Sequence, residues 1–167
     1  MKKIIIVLFI FIVIAVCLNE KENILIPDSA IRFRIIANSN TEFDQNLKLT
    51  IKKDVEKVLY NLIADAKNIE EARKIITNNL ETVKNILKNY NVNYDINFGN
   101  NYFPVKEYKG ITYSEGNYES LVITLGEGLG NNWWCVLFPP LCLLDEQSNL
   151  NDIEYEMYAA KLINKFK

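Results

Sequence analysis

The sequence predicts an α+β fold: a mainly antiparallel sheet packed with two antiparallel helices, plus a C-terminal amphipathic helix. Three observations carry this reading. Ile31, Phe33 and Ile35 alternate with Arg32 and Arg34, the period of a strand with one buried face. Two longer stretches then repeat apolar residues every three or four positions, as helices do. After Asn91 the period returns to two through several short runs. A strand, then helices, then more strands is an α+β order of elements.

Ahead of the first strand, Lys2 and Lys3 precede an unbroken apolar run from Ile4 to Leu18. The run is about 15 residues, the length of a secretory signal core and short of the roughly 20 that span hydrocarbon comfortably. Residues 1–18 are expected to be a signal peptide or an N-terminal membrane anchor, with cleavage and retention both open. Export follows from either. Residues 19–23 read as a polar tether, 24–148 as one domain and 149–167 as a terminal helix.

The first helix is expected from Glu42 to about Asp65, with Leu47, Ile51, Val55, Val58 and Leu62 on its apolar face. Ser39 with Glu42, or Thr41 with Asp44, has the spacing of a capping box. The second helix is expected from Ile69 to about Tyr90, carrying Ala72, Ile76, Leu80, Val83 and Leu87, with Asn68 as its cap. The short link makes the two helices antiparallel.

A strand over Val92–Phe98 follows, then a turn at Gly99-Asn100-Asn101. The next extended piece is confined to an edge by Pro104. Another turn at Glu115-Gly116-Asn117 leads into a strong strand, Tyr118–Leu125. Gly126, Gly128 and Gly130 superficially resemble a phosphate loop, but no amphipathic helix follows them and they are read as a turn. In the tail, Tyr155, Tyr158, Leu162 and Phe166 form one stripe with lysines gathered at the end. This helix is expected to close the domain, with docking on a membrane or partner as the alternative.

Composition narrows the chemistry. The net charge is −2 with both signs interspersed, which argues against nucleic acid as a partner. Histidine is absent. That excludes nucleophiles that need an imidazole base and the common zinc sites, which include a histidine unless several cysteines replace it. No Asp-Thr-Gly or Asp-Ser-Gly stretch occurs. Nothing points to an enzyme, a cofactor, a metal or a small-molecule substrate.

One segment stands apart, GNNWWCVLFPPLC from Gly130 to Cys142, which reads as neither helix nor strand. Cys135 and Cys142, in an exported chain, are expected to form a disulfide. Closing so short a loop contributes roughly 2.5 kcal/mol in the chain-entropy account; reduced buried thiols are the other reading. Trp133, Trp134 and Phe138 either fill the core or, stiffened by Pro139 and Pro140, form a preorganised contact loop.

Three stretches carry a resemblance: IPDSAIRFRIIANSNTEFDQNLKL, FPVKEYKGITYSEGNYESLVITLGEG and NWWCVLFPPLC. Together, over roughly Ile24 to Asp145, the chain resembles the stage II sporulation protein R family of endospore-forming Firmicutes. The resemblance implies a signalling protein and not an enzyme. It would be made in the forespore and exported into the space between forespore and mother-cell membranes. There it would trigger a membrane-embedded aspartic protease that processes the early mother-cell sigma factor precursor. The resemblance also marks Asn38, Ser39, Asp44 and Gln45, and Trp133, Trp134, Cys135, Phe138, Pro139, Pro140 and Cys142. Partner contact is one reading for the first group and helix capping the other. An envelope protein that binds or remodels cell wall is the alternative function.

Overall fold

The computed structural model describes residues 30–108, 111–142 and 152–166. The leader, the tether and the start of the tail lie outside them. The described residues hold β1 (Ile31–Ile36), α1 (Glu42–Ile63), α2 (Ile69–Asn78), α3 (Leu80–Lys88), β2 (Tyr94–Phe103), β3 (Lys106–Tyr108), β4 (Ile111–Tyr113), β5 (Gly116–Leu125), β6 (Asn132–Phe138) and α4 (Asp152–Lys165). The main sheet runs β2-β5-β1-β6, and β3 and β4 form a separate hairpin. β1 is parallel to β5 and antiparallel to β6, and β2 is antiparallel to β5. The fold is α+β with a mostly antiparallel sheet.

Alternation along the strands divides the interior in two. Ile31, Phe33, Ile35, Leu121, Ile123 and Leu125 turn to the helices, where Ile51, Val55, Leu59 and Ile63 of α1 meet them with Ala72, Ile76, Val83 and Leu87. Burying each large side chain of this kind contributes about 1.5–3 kcal/mol. α1 starts where Thr41 accepts a hydrogen bond from the Asp44 amide, and Glu42 and Asp44 favour the positive end of its dipole. Asn68 caps α2 in the same way through the Glu71 amide.

The single helix expected over 69–90 is two. Asn79 leaves the helical region at φ −114°, ψ 13°. Its side-chain Nδ2 donates to the Ile75 carbonyl at 2.9 Å, and its backbone N–H turns to Ile76. A side chain competing for backbone acceptors breaks the ladder there. The turn expected at Gly99-Asn100-Asn101 is also absent. β5 pairs with all three residues, and Asn101 Nδ2 satisfies the buried Ser120 hydroxyl at 3.0 Å. The next turn falls earlier than expected, with Gly116 and Asn117 already in β5.

β1 has the expected period, but its second face is covered at Arg32 and only half-open at Arg34 and Ile36. Arg32 is only 1% exposed. Its guanidinium carbon lies 3.3 Å from the centre of the Tyr118 ring, 4.9 Å from Trp134 and 5.1 Å from Phe103. Nε and Nη1 have no hydrogen-bond acceptor, and burial pulls its pKa below the ordinary value. This second interior, on the sheet face away from α1, also holds Tyr113, Val136 and Leu141 and is covered by Ala159 and Ile163 of α4. The terminal helix does close the domain, and Phe166 packs edge-on to Phe138 at 4.9 Å.

Ring faces stabilise the Arg32 cation by roughly 2 kcal/mol or more when desolvated, which offsets only part of the cost of burying it. Arg32→Met keeps most of the volume and removes that charge. It is expected to unfold in urea at a midpoint no lower than the parent, whereas Arg32→Ala leaves a void among three rings and loses about 2–5 kcal/mol. A lowered midpoint for Arg32→Met would show that the charge itself is needed.

Candidate partner-binding site

The chain from Ala37 to Gln45 leaves the centre of the sheet and enters α1. The turn from Gly126 to Asn131 links β5 to β6 across the same end. Polar side chains fasten the two. Asn38 Oδ1 accepts from the Glu127 amide at 3.0 Å, and its carbonyl accepts from Leu129 at 3.0 Å. Asn40 Oδ1 accepts from the Asn131 amide at 2.7 Å. Buried Lys48 donates to Gln45 Oε1 at 2.7 Å and to the Asn131 carbonyl at 3.0 Å, while Gln45 Nε2 donates to the Ser39 carbonyl at 2.8 Å.

Asp44 is the hub. Its Oδ2 accepts from the Ser39 hydroxyl at 2.6 Å and from Asn38 Nδ2 at 2.9 Å. These bonds, Ser39 first and then Asn38, hold its pKa below the ordinary carboxylate value against a smaller opposing effect of desolvation. A pKa lowered on folding contributes stability that is fully present above the unfolded value. That stability is lost as pH falls through the folded one. The thermal midpoint of the parent is therefore expected to fall more steeply than that of Asp44→Asn as pH drops below the unfolded carboxylate range. Parallel melting curves of the two would speak against this hub.

Two glycines let the turn approach this closely. A Cβ on Gly126, whose φ is +54°, would stand 2.2 Å from Asn38 Oδ1, and one on Gly130 would stand 2.2 Å from the Ser39 carbonyl oxygen. The glycines serve the turn, and the tie to Asn38 and Ser39 gives the reason. Gly130→Ala is expected to cost about 1–3 kcal/mol, the usual penalty of overpacking, measured by urea denaturation; an unchanged midpoint would mean that the turn yields freely.

The fastened corner displays two large apolar side chains. Phe43, in the first turn of α1, is 75% exposed, and Leu129, at the tip of the turn, is 79% exposed. Beside Phe43 lies an open groove of about 330 Å³ lined by Asn38, Phe43, Asp44, Leu47, Tyr90 and Gly126, among others.

The segment read as a loop is instead strand β6. It pairs with β1 from Ile31↔Phe138 to Ile36↔Asn132. Trp134 is 5% exposed, edge-on to Tyr113 at 5.1 Å and to Phe103 at 5.3 Å. Phe138 and Pro139 are interior, and Pro140 is half-buried. Trp133 is half-buried on the other face, between Phe33 and the Lys52 ammonium. The structure joins Cys135 and Cys142 with sulfurs 1.91 Å and Cα atoms 5.4 Å apart. Asn38, Ser39, Asp44 and Gln45 thus come together in one exposed corner, and the tryptophan segment does not join it. Phe43, Lys48 and Leu129 belong to no motif in the sequence; Phe43 alone gives a signal there, as an aromatic residue off the helix stripe.

The family model for stage II sporulation protein R matches residues 27–148. The chain belongs to this family. Both the corner and β6 lie inside the matched stretch, and membership gives the chain a role in sporulation. A relative from Bacillus subtilis (strain 168), named stage II sporulation protein R, is 44% identical over 133 residues. The match covers 76% of this chain and 59% of the relative, so the chain spans little more than half of that protein's length. No solved structure matches. The family is named for a developmental stage and not for a reaction.

Proposed function

We propose that the protein is an exported forespore-to-mother-cell signal that activates a membrane-embedded aspartic protease, which then processes the early mother-cell sigma factor precursor. The observation that carries this reading is the match to the stage II sporulation protein R family over residues 27–148. The basic, then apolar, N-terminal 18 residues support export, as signal or anchor. The protein acts in the space between the two membranes by contact, without cofactor or small-molecule substrate.

Contact runs through the corner. Asn38, Ser39, Asp44 and Gln45 hold it rigid, and Phe43 and Leu129 meet the protease. A signal of this kind acts by binding the active form of its target more tightly than the inactive one. Moving an equilibrium from 1:99 to 99:1 takes about 5.5 kcal/mol of differential binding. Burying two large apolar side chains supplies about 3–6 kcal/mol, the right order. Trp133 offers a half-buried edge at most, and Trp134 and Phe138 act by shaping the sheet.

The test is an immunoblot of the sigma precursor in sporulating cells with and without the gene. Uncleaved precursor in the deletion strain, cleaved again on complementation, is the expected result. Normal cleavage without the gene would overturn the proposal.

A further inference from the structure

Cys135 and Cys142, with no histidine in the sequence, leave a metal short of donors, but the fold supplies a third ligand. α1 carries Glu56 to β6, where a carboxylate oxygen and the sulfurs of Cys135 and Cys142 all lie within 4.8 Å of one another. All three residues are interior, at 2%, 6% and 3% exposure. One helical turn earlier, Lys52 places its ammonium 2.8 Å from Glu56 Oε2. Ile51, Val55, Leu59 and Ile63 line the apolar core beside Glu56, Lys48 and Lys52 stand on its own stripe, and burying a carboxylate is costly even when it is paired.

We propose that Glu56, Cys135 and Cys142 form a zinc site in the dithiol form of the protein, as the alternative to their disulfide. Two thiolates and a carboxylate are donors that suit Zn²⁺, and a water completes the tetrahedron. Bonds of about 2.3 Å to each sulfur hold the two sulfurs about 3.7 Å apart. That separation is open to side chains whose Cα atoms are 5.4 Å apart. Binding breaks two S–H bonds and forms two Zn–S bonds and one Zn–O bond to Glu56. These replace waters lost from the hydrated ion, which keeps one water, and two protons are released to solvent. No electron moves.

Charge favours the same assignment. Zn²⁺ with two thiolates is neutral, and Glu56 keeps Lys52 beside it. The disulfide is neutral too, so neither state strands a charge in the interior. The two states differ in what they tie together. The disulfide joins β6 to the turn that follows it, whereas zinc also fastens α1 to β6 and so couples metal to folding.

The full chain, reduced with a phosphine that is then removed under argon, tests this with zinc or cobalt(II) added alone. Thiol titration certifies the reduction. The reduced protein is expected to retain one equivalent of zinc through gel filtration. With cobalt it should give the intense charge-transfer absorption of sulfur ligation. The oxidised protein should retain none. Glu56→Gln is expected to weaken zinc by at least about tenfold, since losing even an outer partner costs that much, and Cys142→Ser to abolish the sulfur–cobalt band. Reduced protein that elutes without metal would overturn the proposal, as would equal retention by Cys142→Ser or unchanged affinity in Glu56→Gln. Should either variant fail to fold, the cobalt band of the reduced parent, present or absent, decides.

Discussion

Trp134→Ala is expected to destabilise the protein by about 3–5 kcal/mol, out of the 5–15 kcal/mol that holds a typical domain together. Its indole is 5% exposed and packs edge-on against Phe103 and Tyr113. Arg32 and Lys106 place their cations 4.9 and 4.8 Å from the ring centre. Removing the ring opens a cavity and takes away one of the three faces that stabilise the buried Arg32 guanidinium. The two losses fall on the same few residues and do not add simply. Urea denaturation measures the outcome, and a midpoint within experimental error of the parent would contradict the burial described. A Trp133→Ala, Trp134→Ala double variant that failed to signal would therefore report unfolding before it reported contact.

The second large effect is functional and leaves stability alone. Phe43→Asp combined with Leu129→Asp is expected to abolish sigma precursor cleavage in sporulating cells while the purified protein unfolds at the parental midpoint. Both side chains are three-quarters or more exposed, and substitutions at such surface positions usually change stability by less than about 0.5 kcal/mol. An acid at 43 also sits in the first turn of α1, where the helix dipole favours it. Val105, 61% exposed beside the β3–β4 hairpin, gives the control: Val105→Asp should signal normally. Cleavage at the parental rate in the double variant, with the deletion strain defective, would move the contact surface away from the corner and leave the signalling role standing.

Much of this fold was legible because local chemistry and tertiary packing agree. Thr41 with Asp44 and Asn68 with Glu71 mark helix starts that the structure uses, and the alternation of β1 and the apolar run of β5 name their strands. β6 was not legible. Cys135 to Phe138 are buried together with Trp134, and a bulge at Ile31/Arg32 shifts the pairing; period two is invisible when both faces are covered. Gly99-Asn100-Asn101 has turn composition, yet β5 alongside overrides it. Asn79 lies within an intact apolar stripe, and only its side-chain bond to Ile75 shows the break. The corner was half visible. Its polar residues read as caps, which they are, but their second set of bonds crosses 89 and 91 residues of sequence. The parallel pairing of β1 with β5 is hidden for the same reason.

That long reach bears on when the protein takes shape. β1, the earliest of the described strands, lies between two that come much later, β5 and β6, and Asn40 meets Asn131 91 residues on. At synthesis rates of about 5–20 residues per second, β1 waits roughly 5–18 s for its neighbours. Local contacts form quickly, but a sheet centred on the first strand must close its longest loop before it is stabilised. Until the residues of β6 are available, the chain has helices but no finished sheet. An emerging chain in that condition can still be threaded through a narrow pore, and the corner that joins Asn40 to Asn131 exists only once both of its ends have passed.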